Sequence, residues 1–261
     1  MPPQLVLHGL TAGRGAKLTL MPGRIFYALA ILAFGIQYAI FGHLRVGLPL
    51  CPYWLPSSQI IAYALAAILI AIGLALLAAW RTFATSLILG LLLLLTSCLY
   101  LQHLNFVLHD GNGRTLFLEC LSLASAALVL HGLTAGRGAK LTLMPGRILF
   151  AFAMIVFGAQ HFMYTRFIAT LVPGWIPQHH LWVILTGIAL IAAGAAIATT
   201  IADKIAAFCL FALFFLWLIL LHIPRVLHAL HSGDEWSSAF VVLAFCGSSL
   251  LLAASSDHTR R

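Results

Sequence analysis

Charge is what this sequence lacks. Asp, Glu, Lys and Arg make up 8% of its 261 residues, against about 25% in a soluble domain. Hydrophobic residues make up 62%. Such a chain has too little polar surface to cover itself in water, which excludes an ordinary soluble fold and leaves the lipid bilayer as solvent. Cysteine is sparse as well. Cys51, Cys98, Cys120, Cys209 and Cys246 are an odd number without a CxxC pair, so neither a disulfide framework nor a zinc motif is expected. Alternation of the strand type is absent, and Leu and Ala dominate, so the apolar runs read as helices. Pro2 and Pro3 open the chain and no small-residue cleavage site follows the first apolar run; that run is expected to stay as an uncleaved anchor. The net charge of +8 does not indicate nucleic acid, because the cations fall between apolar runs and follow topology.

What is present is a repetition. Leu128 to Ile148 reads LVLHGLTAGRGAKLTLMPGRI, and the same 21 residues stand unchanged at Leu5 to Ile25, 123 positions earlier. Each copy ends in Met-Pro-Gly-Arg-Ile and leads into an apolar run. The chain therefore reads as one membrane unit used twice, residues 1–133 and 134–261, a pseudo-dimer within one chain. No physical cause requires 21 identical residues, since the flanks have diverged; the identity reads as history. The start at Leu5 resembles the stub of a helix whose body is missing.

Eight apolar runs are each long enough for a membrane helix of about 17–25 residues. They are Ile25–Phe41, Ile60–Trp80, Phe83–Leu101, Leu116–Leu133, Ile148–Tyr164, Leu181–Ile201, Ile205–Leu221 and Trp236–Ala254. With the N-terminus inside, the inner segments hold Arg14, Lys17, Arg24, Arg81, Arg137, Lys140, Arg147, Lys204, Arg260 and Arg261. The outer segments hold Arg45, Arg114, Arg166 and Arg225. Ten against four obeys the positive-inside rule, so both termini are expected in the cytoplasm. Four helices per unit is an even number, so both units insert the same way up. The expected fold is an all-α membrane protein of eight transmembrane helices, two fused four-helix bundles.

The outer segments hold the unusual chemistry. Pro52-Tyr53-Trp54-Leu55-Pro56 and Pro173-Gly174-Trp175-Ile176-Pro177 share the form Pro-x-Trp-x-Pro. Proline opposes a helix there and Trp favours the headgroup layer, so an interfacial anchor is preferred over a ligand site. The first helix of each unit ends in a polar pair, Gln37-Tyr38 and Gln160-His161. Either glutamine has a plain role as a hydrogen-bonding partner for a neighbouring helix, and His161 serves either as a site residue or as a cap of the bundle.

His222, Pro224 and Arg225 close the third helix of the second unit, where the first unit has His103, Asn105 and Phe106. Histidine at such a depth suits proton exchange, and Arg225 suits an anion or carboxylate. The plainer reading is a pair of side chains reaching the headgroups. Asp234, Glu235 and Trp236 open the last helix. Two carboxylates there suit the helix dipole, and a Glu235–Arg225 pair across the outer loop is the alternative. Glu119 is the one carboxylate within an apolar run. It either snorkels or faces the bundle, where His103 or Gln37 would be its partners. Cys98, Cys120 and Cys51 read as packing residues before they read as a redox pair. His179-His180 is a weak metal signal without further ligands. No metal site is expected and no cofactor motif is evident.

The second unit resembles the DoxX-like family of small four-helix membrane proteins. Pro145-Gly146-Arg147-Ile148, Phe157-Gly158-Ala159-Gln160-His161, Val172-Pro173-Gly174-Trp175-Ile176-Pro177, Leu185-Thr186-Gly187, Leu221-His222-Ile223-Pro224-Arg225-Val226 and Glu235-Trp236 carry the likeness by their order and spacing. It covers residues 143–255 well and 20–133 more loosely. Tyr38, Phe106 and the missing Glu-Trp set the first unit apart. The resemblance implies a bacterial cytoplasmic-membrane protein linked to redox chemistry, with a quinone as ligand and a membrane redox enzyme as partner. His161, His222, Arg225, Glu235 and Trp236 are the polar positions it carries over; Gln160, Gln37, His103 and Glu119 are secondary. Whether the chain is an enzyme stays open. The alternative is a non-enzymatic assembly partner or small-molecule transporter, and a haem protein with His103 and His222 as axial ligands is a remote third.

Overall fold

A computed structural model describes residues 14–42, 58–136 and 139–259. The Pro-x-Trp-x-Pro segment at 52–56, Cys51 and the opening of the first repeat copy lie outside the described residues. Among the described residues all regular structure is helical. Eight helices are long and apolar enough to cross a membrane, and we read the chain as a multi-pass membrane protein. In hydrocarbon every backbone N–H and C=O must be satisfied within its own segment, which is what these Leu/Ala-rich helices achieve.

The helices are α1 (Arg14–Phe41), α2 (Gln59–Leu77), α3 (Thr82–Tyr100), α4 (Leu104–His109), α5 (Gly111–Thr134), α6 (Ala139–Met163), α7 (Thr165–Ala169), α8 (His179–Thr199), α9 (Asp203–Trp217), α10 (Ile223–His228) and α11 (Gly233–Thr259). A 3₁₀ turn (Leu101–His103) joins α3 to α4, and a π turn (Leu218–His222) joins α9 to α10. Side chains cap three of the starts, Ser232 at α11 through the Glu235 N–H at 3.4 Å among them. Ser58 Oγ accepts from the Ile61 N–H at 3.5 Å, and Asp110 Oδ1 accepts from the Gly113 N–H at 2.9 Å. Tight turns are made with left-handed residues, Arg81 at φ 43° and Ala202 at φ 53°.

One difference from the sequence expectation concerns the repeat itself. Met-Pro-Gly-Arg-Ile reads as a lead into a helix, but α1 and α6 run straight through it, with Pro22 and Pro145 inside. The glycine after each proline explains the motif. A Cβ on Gly23 would sit 3.0 Å from the Leu251 backbone nitrogen of α11, and one on Gly146 would sit 2.8 Å from the Ser125 carbonyl of α5. Both helices use the glycine to approach another backbone closely.

The helix contacts form a closed circuit: α1–α2–α3–α5–α6–α8–α9–α11 and back to α1, with α5 and α11 meeting across the middle. Those two are the inner helices; 72% and 83% of their apolar windows are buried, against 44% or less elsewhere. Small residues allow this. Ser122, Ser125, Ser248 and Ser249 are fully buried and donate their hydroxyls to carbonyls four residues back. α1 packs as extensively on α11 as on its neighbour α2, and α6 as extensively on α5 as on α8. So the first helix of each half leans on the last helix of the other. α1 and α11 run antiparallel, with Gly23 against Leu250 and Gln37 against Gly233. Residues 14 and 259 therefore lie at one end of the bundle, called here the terminal end. The loops around 42, 110, 164 and 229 lie at the opposite end.

Candidate functional site

The opposite end of the second half holds His161, His222, Arg225 and Glu235. Pro224 has no N–H to return to the carbonyl four residues earlier, and its ring crowds that carbonyl. The chain widens into the π turn just before it, where the Ile223 N–H bonds to Leu218 O, five residues back. Such π turns inside α-helices often mark functional sites. This one ends on His222, which is only 9% exposed. Its Nδ1 is buried and has no hydrogen-bond partner among the described residues.

One turn on, Arg225 Nη2 donates to Glu235 Oε1 at 2.8 Å, closing α10 onto the first turn of α11. The Glu235 N–H points to Ser232 Oγ at 3.4 Å, and its Oε2 is a second buried atom without a partner. The two roles considered for Glu235 coexist: it stands in the first turn of α11 and pairs with Arg225.

The other expected residues separate. His161 Nδ1 bonds to Phe157 O at 2.8 Å, and its ring stacks on Trp217 at 5.9 Å and 17°, immediately before the π turn. The Trp236 indole donates to Leu230 O at 2.9 Å and its ring meets Phe240. Gln37 and Gln160 join helices of opposite halves. His103 is exposed. Glu119 is half-buried and has no hydrogen bond or ion pair among the described residues; Gln37, considered as its partner, bonds to Gly233 and Ser237 instead. Cys98 and Cys120 are free thiols, and no cluster of three metal-ligating side chains occurs among the described residues. Trp175 is 71% exposed, and the Trp182 indole caps the same segment through Pro177 O at 3.1 Å.

A second polar centre escaped sequence reasoning. Arg147, 1% exposed, donates through Nη2 to Asp203 Oδ2 at 2.6 Å and to Ile197 O at 3.3 Å. Its Nη1 donates to Ser255 Oγ. Lys204 binds both oxygens of Asp257 at 3.1 Å beside it. Arg147 and Asp203 both flank apolar runs on the side expected to be cytoplasmic, and that shared side is the one signal that would have joined them. Among the described residues all three ion pairs lie in the second half.

The comparisons with known proteins fall on the same half. Residues 150–244 match the family model described as Domain of unknown function (DUF8561). The matched stretch holds His161, Trp217, His222, Arg225, Glu235 and Trp236, and covers less than half of the chain. No curated protein and no solved structure matches.

Proposed function

We propose that this chain is a DoxX-like protein of the bacterial cytoplasmic membrane, built as two tandem four-helix units with both termini in the cytoplasm. We assign it a redox-linked role, handling a quinone or a similar small polar ligand at the outer end of the second unit. The observation that carries this reading is the buried, unpartnered Nδ1 of His222 beside the Arg225–Glu235 pair. An unsatisfied buried polar atom costs about 1–3 kcal/mol, and a ligand that bonds to it recovers that penalty.

The donor set fits a quinone headgroup. A ring nitrogen of His222 donates to a carbonyl oxygen or accepts from a quinol hydroxyl, according to its tautomer. Arg225 holds Glu235 in place, and Glu235 offers its free Oε2 as a proton acceptor. A bound quinone would supply two-electron chemistry. The site is a hydrogen-bonding corner facing lipid, since Ile219, Ile223 and Leu227 around it are exposed. Two open surface depressions lie along 102–106 and 162–167.

Extraction in mild detergent, identification of every bound small molecule and assay of quinol turnover in membranes test the proposal. Bound quinone or altered turnover, lost in His222→Ala and Arg225→Ala, supports it. No quinone, unchanged turnover and a co-purifying membrane protein would instead assign the chain an assembly role.

A further inference from the structure

We propose that Arg24 is the centre of a phosphate site at the terminal end of the first half, filled by the headgroup of an anionic lipid. Arg24 and Arg147 occupy the same place in the two identical copies of Met-Pro-Gly-Arg-Ile. Arg147 is sealed by an internal acid, Asp203, the first residue of α9. The first residue of α3 is Thr82, which brings no charge. The preceding residues, Arg81 and Ala202, share the left-handed turn. One half thus carries its own carboxylate where the other has a neutral hydroxyl.

Arg24 is left without an acid. It is half-buried, its Nε is closed off with no acceptor, and it forms no ion pair among the described residues. The charge inventory agrees. The sequence places Arg14, Lys17, Arg24 and Arg81 toward this end of the first half. The only acids of that half, Asp110 and Glu119, stand toward the opposite end. In the second half Asp203 and Asp257 neutralise Arg147 and Lys204. No acid among the described residues answers Arg24, and an anion from outside the chain would complete the site. A guanidinium binds phosphate oxygens through parallel N–H bonds. The neighbouring surface suits a lipid: Trp80 and Phe83 are 62% and 51% exposed, and Arg81 lies over the Trp80 ring at 5.5 Å.

The full chain is purified in mild detergent with phosphatidylglycerol or phosphatidylcholine, and retained lipid is counted by native mass spectrometry. The wild type should keep phosphatidylglycerol and exchange phosphatidylcholine freely. Arg24→Gln should weaken retention by about tenfold or more, the loss of one charge-assisted contact. Thr82→Asp supplies the internal carboxylate, so it should release the lipid while keeping the thermal midpoint. Its normal folding separates loss of the site from loss of the fold. Millimolar inorganic phosphate that raises the wild-type midpoint and displaces the lipid, but acts on neither variant, would assign the same site to free phosphate. Equal retention of phosphatidylglycerol by the wild type and both variants overturns the proposal.

Discussion

Gln37 reaches across the molecule to Gly233. Its Nε2 donates to the Gly233 carbonyl at 2.7 Å and to Ser237 Oγ at 2.9 Å. Gln160 repeats the arrangement with Gly111 O at 3.4 Å and Thr115 Oγ1 at 3.2 Å. In each case a glutamine near the end of one half's first helix binds the start of the other half's last helix. The halves are clasped reciprocally at the opposite end, and Arg114 adds a bond to the Tyr164 hydroxyl at 2.6 Å.

Removing one clasp should loosen the molecule without unfolding it. Interhelical hydrogen bonds in membranes contribute about 0.6 kcal/mol on average and up to about 1.7. Gln37→Ala is expected to cost roughly 1 kcal/mol, Gln160→Ala less because its bonds are longer, and the double variant about their sum. Unfolding in mixed micelles measures this. No loss in the double variant would mean that the bonds contribute nothing.

Because contacts cross between the halves, separately expressed chains 1–133 and 134–261 should find one another in the membrane and co-purify. A second half that stays monomeric and as heat-resistant as the whole chain would show that α1 is dispensable to α11.

The pair Arg147–Asp203 is buried on both sides. Truncating one partner of such a pair typically costs about 3–5 kcal/mol, because the other charge is left without a counter-ion. Asp203→Ala should fall in that range, and adding Arg147→Met should recover much of it. A cycle showing simple additivity would argue that the two groups do not sense each other.

Arg225 and Glu235 are different, being 36% and 21% exposed. Pairs of that exposure contribute about 0–1 kcal/mol. Glu235→Gln should therefore leave the thermal midpoint nearly unchanged while reducing quinone retention. A large drop in midpoint with ligand binding intact would make the pair purely structural.

Gly247 faces the Tyr27 backbone of α1, where a Cβ would stand 2.5 Å from the nitrogen. Gly247→Ala must push α1 and α11 apart and is expected to cost about 1–3 kcal/mol by overpacking. Gly174→Ala, with open space around the site, is the control and should be neutral by the same thermal measurement.

The sequence alone determined the eight spanning helices and the chemistry near their ends. Length and hydropathy are local properties, and bilayer thickness converts them directly into spans. The chain through Leu221-His222-Ile223-Pro224-Arg225 also announced a break, because proline's missing N–H is a local fact; that the break is a π turn burying His222 was not local. Only the tertiary structure decided which helices meet. Lipid tails are as apolar as the helix faces, so hydrophobicity does not rank one neighbour above another. Close backbone fit at Gly23, Gly146 and Gly247 and a few buried bonds do. That is why Gln37 finds Gly233, why Arg147 finds Asp203 and why Glu119 finds neither Gln37 nor His103: each outcome depends on helix rotation and depth, which composition leaves free.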